Sequence, residues 1–238
     1  HYFPLNAESE TAKTIEGQIA GIADKIDTIC AVFVDGKKPT GSSDPLGVRR
    51  AALGIIRTIL DFGIKINLHT LIEKSVSLLP VKRDCISEVE EFIVQRLVIL
   101  LSEKYKKTVL EACSNGALND LNDYVERVKV VSTLNNPDLL ESANRVLRIT
   151  KDVAGGAVNS ALLQVQAEKD LFAQLGQFKV NANYTEYLAQ LVAINPYVVK
   201  FFEDVLVMDK DENVKTNRLA LLSQLRDRYN KLTDFSKL

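Results

Sequence analysis

The sequence predicts an all-α protein made of two packed helical parts. Three observations carry that expectation. Apolar residues recur at intervals of three and four along nearly the whole chain, no segment sustains the alternation of a half-buried strand, and helix-start signals recur between the apolar runs. With 238 residues, the chain is long enough to bury a core without disulfides or a structural metal. Its composition, 46% hydrophobic and 26% charged, is ordinary for a globular protein.

The elements follow in order. Residues 12–34 carry Ile15, Ile19, Ile22, Ile26, Ile29 and Val32 at helical spacing. That stripe ends in residues 35–44, where glycine, proline and small polar residues predict an exposed loop. Ser43 or Asp44 is placed to cap a second helix, with Pro45 at its first position. Leu46, Ala52, Leu53, Ile56 and Leu60 continue its apolar stripe to about Phe62, and Gly63 stops it. A short helix around residues 69–79 closes at Pro80. The apolar period lapses over 80–84, which predicts a boundary there and parts spanning 1–84 and 85–238. Beyond it, helices are expected over 86–105, 107–114, 117–133, 137–153, 157–175, 183–194, 196–207 and 212–233. Asn136-Pro137 and Asn195-Pro196 each read as an asparagine cap followed by a first-position proline.

Several function classes find no support. No window approaches the ~20 apolar residues of a membrane span, and no secretory signal is visible. Cys30, Cys85 and Cys113 are odd in number and widely spaced, which argues against a disulfide framework or zinc site and fits a reducing cytosol. With His1 and His69 the sole histidines, a metal site would rest mainly on carboxylates. GxSxG, HExxH and phosphate-loop motifs are absent. The formal net charge is −1, from 30 basic and 31 acidic side chains, and the two signs balance in residues 1–90 and in the remainder alike. That is not the charge of a general nucleic-acid binder, so any RNA contact must be a local patch. The chain starts at His1 and its single methionine is Met208, so we expect a piece of a longer protein.

Three stretches carry a family resemblance. The first is Ala23-Asp24-Lys25-Ile26-Asp27-Thr28. The second runs from Lys38-Pro39-Thr40-Gly41 through Asp44-Pro45-Leu46-Gly47-Val48-Arg49-Arg50-Ala51-Ala52-Leu53-Gly54. The third joins Phe201-Phe202-Glu203-Asp204-Val205-Leu206-Val207-Met208 to Asn217-Arg218-Leu219-Ala220-Leu221-Leu222. Together they resemble the carboxy-terminal part of the beta subunit of bacterial-type glycyl-tRNA synthetase.

The resemblance implies an architecture and a role. Residues 1–84 would be the end of an HD-like helical domain, and residues 85–238 a DALR-type helical bundle that recognises the tRNA anticodon. Adenylation and glycyl transfer would belong to the separate alpha subunit. ATP and Mg would then serve the assembled enzyme, with no cofactor in this piece. The implied partners are glycine tRNA and the alpha subunit, in a cytoplasmic heterotetramer without membrane attachment. Arg96 resembles an arginine common in the opening helix of DALR domains. Asp24 resembles the last aspartate of an HD-type metal site, whose histidine partners would lie before residue 1.

The residues themselves leave choices open. Asp24 and Asp27 share a helix face, which suits a polar surface or an interhelical hydrogen bond as an alternative to the metal role. Lys37 and Lys38, with Arg49 and Arg50, suit an RNA phosphate at a helix start; they also suit a capped turn in which the arginines pair with Asp44. Arg145, Arg148 and Lys151 fall at i, i+3 and i+6 as an inclined basic stripe above Val146, Leu147 and Ile149. Guanidinium groups there can read a base edge or stack on an unpaired base. Arg218 is a further tRNA-binding candidate, alongside Arg226 and Arg228, although Asp227 and Glu212 could neutralise that face. Among Tyr184, Tyr187, Tyr197, Phe201 and Phe202, spacing suggests packing for most and exposure for Tyr184. Two other readings stay open: a fragment of an HD-type metal-dependent phosphohydrolase, and a helical scaffold without RNA affinity.

Overall fold

The computed structural model describes residues 4, 9–39, 44, 46–81 and 83–238. Among these it has ten α-helices, three short 3₁₀ turns and no strand, the all-α class that the apolar spacing predicts. The chain forms two compact units, residues 1–110 with 116–126, and residues 111–115 with 127–238.

The first unit is built on α1 (Ile15–Val34), α2 (Val48–Phe62), α3 (Leu68–Leu78) and α4 (Ile86–Leu101). α1 packs on all three others, and α4 also packs on α2 and α3. Their stripes meet in a core of Ile26, Ile29, Ile55, Ile56, Ile59 and Ile72, each at most 2% exposed. Phe33 and Phe92 join it with ring centroids 5.2 Å apart. Burying each such side chain contributes about 1.5–3 kcal/mol. This packing answers the sequence boundary at 84/85: α4 buries Val89, Phe92, Ile93 and Leu97 within the first unit, so the division into compact units does not fall there.

Helix starts also differ from expectation. Ile15 and Ile19, assigned to the α1 apolar stripe, are 68% and 64% exposed; burial begins with Gln18, Gly21 and Ile22. Thr14 caps α1 by accepting from the Gly17 N–H at 3.1 Å. The cap of α2 is Gly47, in the left-handed region at φ 67°. Asp44 still assists, because its carboxylate accepts from the Arg49 N–H at 3.2 Å. Ser43 and Pro45 lie outside the described residues.

α5 (Lys107–Ala112) and α6 (Leu121–Val131) each contribute residues to both units. The second unit is otherwise α7 (Pro137–Ile149), α8 (Gln166–Gln177), α9 (Tyr184–Asp204) and α10 (Glu212–Leu232). α7 packs on α9 and α10, and α8 on α9 and α10. Leu139, Leu171, Leu191, Val198, Phe201 and Leu225 are fully buried in its core. A reciprocal amide pair fixes the loop before α8: the Asn159 N–H donates to Asn217 Oδ1 at 2.7 Å, and Asn217 Nδ2 donates to the Asn159 carbonyl at 3.0 Å.

The two Asn-Pro signals part company here. Asn136 caps α7, accepting from the Leu139 N–H at 3.0 Å, with Pro137 in the first turn. Asn195-Pro196 does not start a helix, and α9 runs through it. An interior proline costs ~3 kcal/mol. Leu191, Ile194, Val198 and Phe201 stay in one buried register across it, and at about 1.5–3 kcal/mol each they outweigh that cost. Pro196 itself faces solvent.

Candidate nucleic-acid interface

The site starts from the orientation of α7. Burying Leu139, Ala143 and Val146 turns Asp138, Glu141, Arg145 and Arg148 outward, as the 3.6-residue period requires. The helix ends where the Thr150 hydroxyl donates to the Val146 carbonyl at 2.7 Å. Arg226 Nη1 then donates to the carbonyls of Thr150 and Val153, at 2.7 and 2.8 Å. Lys151 therefore lies in the turn beyond α7. The expected three-residue stripe on one helix is corrected to two helical arginines and a lysine after the cap, all exposed.

Arg145 is the centre of the arrangement. Its guanidinium carbon lies 4.1 Å from the ring centroid of Phe202 on α9, a cation–π stack. The stack borders an open groove of about 420 Å³ between α7 and α9. Asp138, Glu141 and Ser142 line one wall, and Val199 and Glu203 the other. Among the described residues no carboxylate reaches the Arg145 guanidinium within ion-pair distance, although Glu141 is one turn away. Phe202 was read from spacing as packing, but it is half-buried and forms a wall of this groove. The i, i+4 relation of Glu141 to Arg145 was the one local hint of the acidic wall.

The other predicted residues of this unit behave differently. Arg218 is 3% exposed. Its Nε donates to Glu168 at 2.5 Å, and its Nη1 to Asp209 at 2.6 Å and to the Leu206 carbonyl at 3.0 Å. Burial works against its charge, but the carboxylates of Glu168 and Asp209 outweigh it and hold the pKa above its ordinary value. Glu168 also accepts from the N–H groups of Gln164 and Val165 at 2.7 Å. Arg218 is thus a structural crosslink rather than an RNA-facing group. Arg228 is likewise engaged, with Leu175 and Gln224 carbonyls and the Phe178 ring. Arg226 closes the end of α7 besides pairing with Asp227 at 3.0 Å. Tyr187 and Phe201 are fully buried, Tyr197 is 37% exposed, and Tyr184 is half-buried, so Tyr197 and not Tyr184 is the exposed ring.

Arg96, Lys37 and Lys38 belong to the first unit. Arg96 is half-buried beside Phe92, with 5.1 Å from its guanidinium carbon to the ring centroid. Its Nε has no hydrogen-bond partner among the described residues, and burial followed by the nearby Arg49 lowers its pKa. Lys37 pairs with Asp35 at 2.6 Å and Lys38 with Glu88 at 2.8 Å. Asp27 accepts from the Ser75 hydroxyl at 3.4 Å, the interhelical reading. Among the described residues no three His, Cys, Asp or Glu side chains are grouped to hold a metal ion. His69 is engaged by Glu90 and Glu73.

Comparison with known proteins places these features in a lineage. Residues 1–115 match the family model described as glycyl-tRNA synthetase beta subunit. The whole chain aligns at 35% identity with the glycine–tRNA ligase beta subunits of Trichlorobacter lovleyi and Citrifermentans bemidjiense, covering 37% of each. That of Methylobacillus flagellatus is 33% identical over the whole chain, which covers 36% of it. The chain belongs to the glycyl-tRNA synthetase beta-subunit family. It spans about 37% of the length of the curated relatives it matches. The beta-subunit family model ends at residue 115, so the Arg145–Phe202 groove lies within the part matched by the relatives alone. Among the described residues, no helix is long and apolar enough to cross a membrane.

Proposed function

We propose that this chain is a tRNA-binding part of a cytoplasmic glycine–tRNA ligase, and that its second unit contacts the anticodon loop of glycine tRNA. The observation that carries this reading is the Arg145–Phe202 stack beside an open groove, in a chain of the beta-subunit family. Unpaired bases offer faces that stack on aromatic rings and guanidinium planes. Arg148, exposed near the end of α7, and Lys151, exposed in the turn beyond it, supply the positive charge that phosphates require.

The role is positional. Contacts at the anticodon fix the register of the tRNA, so that its acceptor end meets the catalytic site of the alpha subunit, where ATP and Mg would act. The alpha subunit and glycine tRNA are the partners of this proposal. Lys37 and Lys38 are retained as phosphate contacts, because exposed ion pairs of this kind contribute only about 0–1 kcal/mol and exchange readily. Arg218 is not retained.

The test is filter binding of the chain to glycine tRNA and to the same transcript with its anticodon replaced. Preferential retention of the native transcript, with an affinity that falls as salt rises, is expected. Equal affinity for both would refute anticodon contact, and no binding at low salt would refute the RNA role.

A further inference from the structure

We infer that the α7–α9 groove reads one unpaired nucleobase and selects a base that bears an amino group over uracil. The platform is the Arg145–Phe202 stack, and the selecting groups are the carboxylates of Glu141 and Glu203. The inference rests on the tRNA-binding reading and adds which base chemistry the groove accepts.

The charge of the groove decides against a phosphate occupant. Asp138, Glu141 and Glu203 line it, and among the described residues Arg145 is its single guanidinium. Glu203 has a distant partner in Lys200 at 3.7 Å, and that lysine sits closer to Asp204 at 3.1 Å. Three carboxylates against one cation repel a phosphate and attract neutral N–H donors. The floor, by contrast, suits a flat ring, because Val199 is apolar and the guanidinium lies over Phe202 at 4.1 Å. A volume of about 420 Å³ lies within the range of small-molecule clefts, roughly 300–1,000 Å³.

Ser142 supplies an independent observation. It is 6% exposed and lines the groove between Glu141 and Arg145. A hydroxyl can donate to a ring nitrogen while a neighbouring carboxylate accepts from an exocyclic amine.

Carboxylates are acceptors only, so they discriminate by what flanks the base's N–H groups. Cytosine and adenine present an amine beside a ring nitrogen, and guanine presents two adjacent donors. Uracil has one N–H between two carbonyls, which a carboxylate repels. A well-placed pairing of this type discriminates by about tenfold or more.

The experiment is a fluorescence-anisotropy titration of the chain with glycine tRNA transcripts. Each amino-bearing base of the anticodon loop is replaced in turn by uracil, and each transcript is titrated against wild-type protein and Glu141→Gln/Glu203→Gln. These exposed isosteric changes leave the core intact, which far-ultraviolet circular dichroism checks. At one loop position, uracil should weaken wild-type binding about tenfold, and the double variant should reduce that ratio to within about twofold. Tolerance of uracil at every position, with native tRNA still bound, would overturn the base-reading inference alone. So would a double variant that keeps the full penalty. Failure to bind any transcript would instead overturn the tRNA reading beneath it. A lysine-rich peptide that binds wild type and not the double variant would identify a basic protein segment as the occupant and overturn the inference.

Discussion

The α7–α9 groove and the α8–α10 junction each centre on one arginine, and they put it to opposite uses. Arg145 stands in the open, with no ion pair among the described residues and one face laid on Phe202. Arg218 is enclosed, with Glu168 and Asp209 on its guanidinium at 2.5 and 2.6 Å. The first arrangement is available to a ligand; the second is a crosslink between helices. What separates them is burial and partner supply, not the residue type.

Breaking the enclosed arginine should produce the largest effect. Arg218→Ala leaves the fully buried Glu168 carboxylate uncompensated, and loss of one partner of a buried pair costs about 3–5 kcal/mol. Urea unfolding should show that loss, while whatever remains folded keeps its tRNA affinity. Arg218→Lys should recover only part of it, since an ammonium cannot reproduce the guanidinium fork. Lost affinity at undiminished stability would dissolve the contrast with Arg145.

A smaller structural effect is expected one residue away. Asn217→Ala removes both amide hydrogen bonds to Asn159, and at about 1 kcal/mol each the unfolding free energy should fall by roughly 2 kcal/mol. A loss below about 0.5 kcal/mol would show that the loop before α8 is held by other contacts.

The contrast also explains what the sequence could and could not disclose. Helix content was legible because apolar spacing is local. The Asn136 cap was legible too, since its carboxamide meets an N–H three residues on. Asn195-Pro196 carries the same dipeptide signal and was overridden by buried residues on both sides of it. Arg218 could not be told from Arg145, because its partner Glu168 lies 50 positions away and only folding brings them together. Phe202 looked like core for the same reason. Its neighbour Phe201 is fully buried, and adjacent helical positions point in different directions. The family resemblance rested on ordered runs of residues, so it was visible before any of these contacts were.

The lysines of the first unit sharpen the comparison from a third angle. Lys37 and Lys38 are exposed like Arg145 but already paired. If they exchange those partners for phosphate, Lys37→Ala/Lys38→Ala should reduce the slope of log affinity against log salt by up to about 2. An unchanged slope would assign them to the turn alone. Stability should hold within about 1 kcal/mol, as for surface pairs generally.

The smallest expected effect is a pH dependence in the first unit. The hydrogen bond that His69 donates to the Glu90 carboxylate raises its pKa above the ordinary value of 6.5, with Glu73 adding to it. A raised folded-state value means that the contribution is fully present below the unfolded value and is lost as pH rises through the folded one. The unfolding midpoint should therefore decline slightly between about pH 6 and about pH 8, and His69→Gln should flatten that decline. A midpoint that rises over this interval in wild type alone would contradict the assignment.

The central claim, that the second unit meets RNA through Arg145, has one direct measurement. Arg145 is exposed and makes no ion pair among the described residues, so Arg145→Ala should leave the unfolding free energy within about 0.5 kcal/mol of wild type. The same variant should bind glycine tRNA about tenfold more weakly, the loss expected when a stacking surface is removed. Equal affinity of the two proteins for glycine tRNA, at equal stability, would contradict the account.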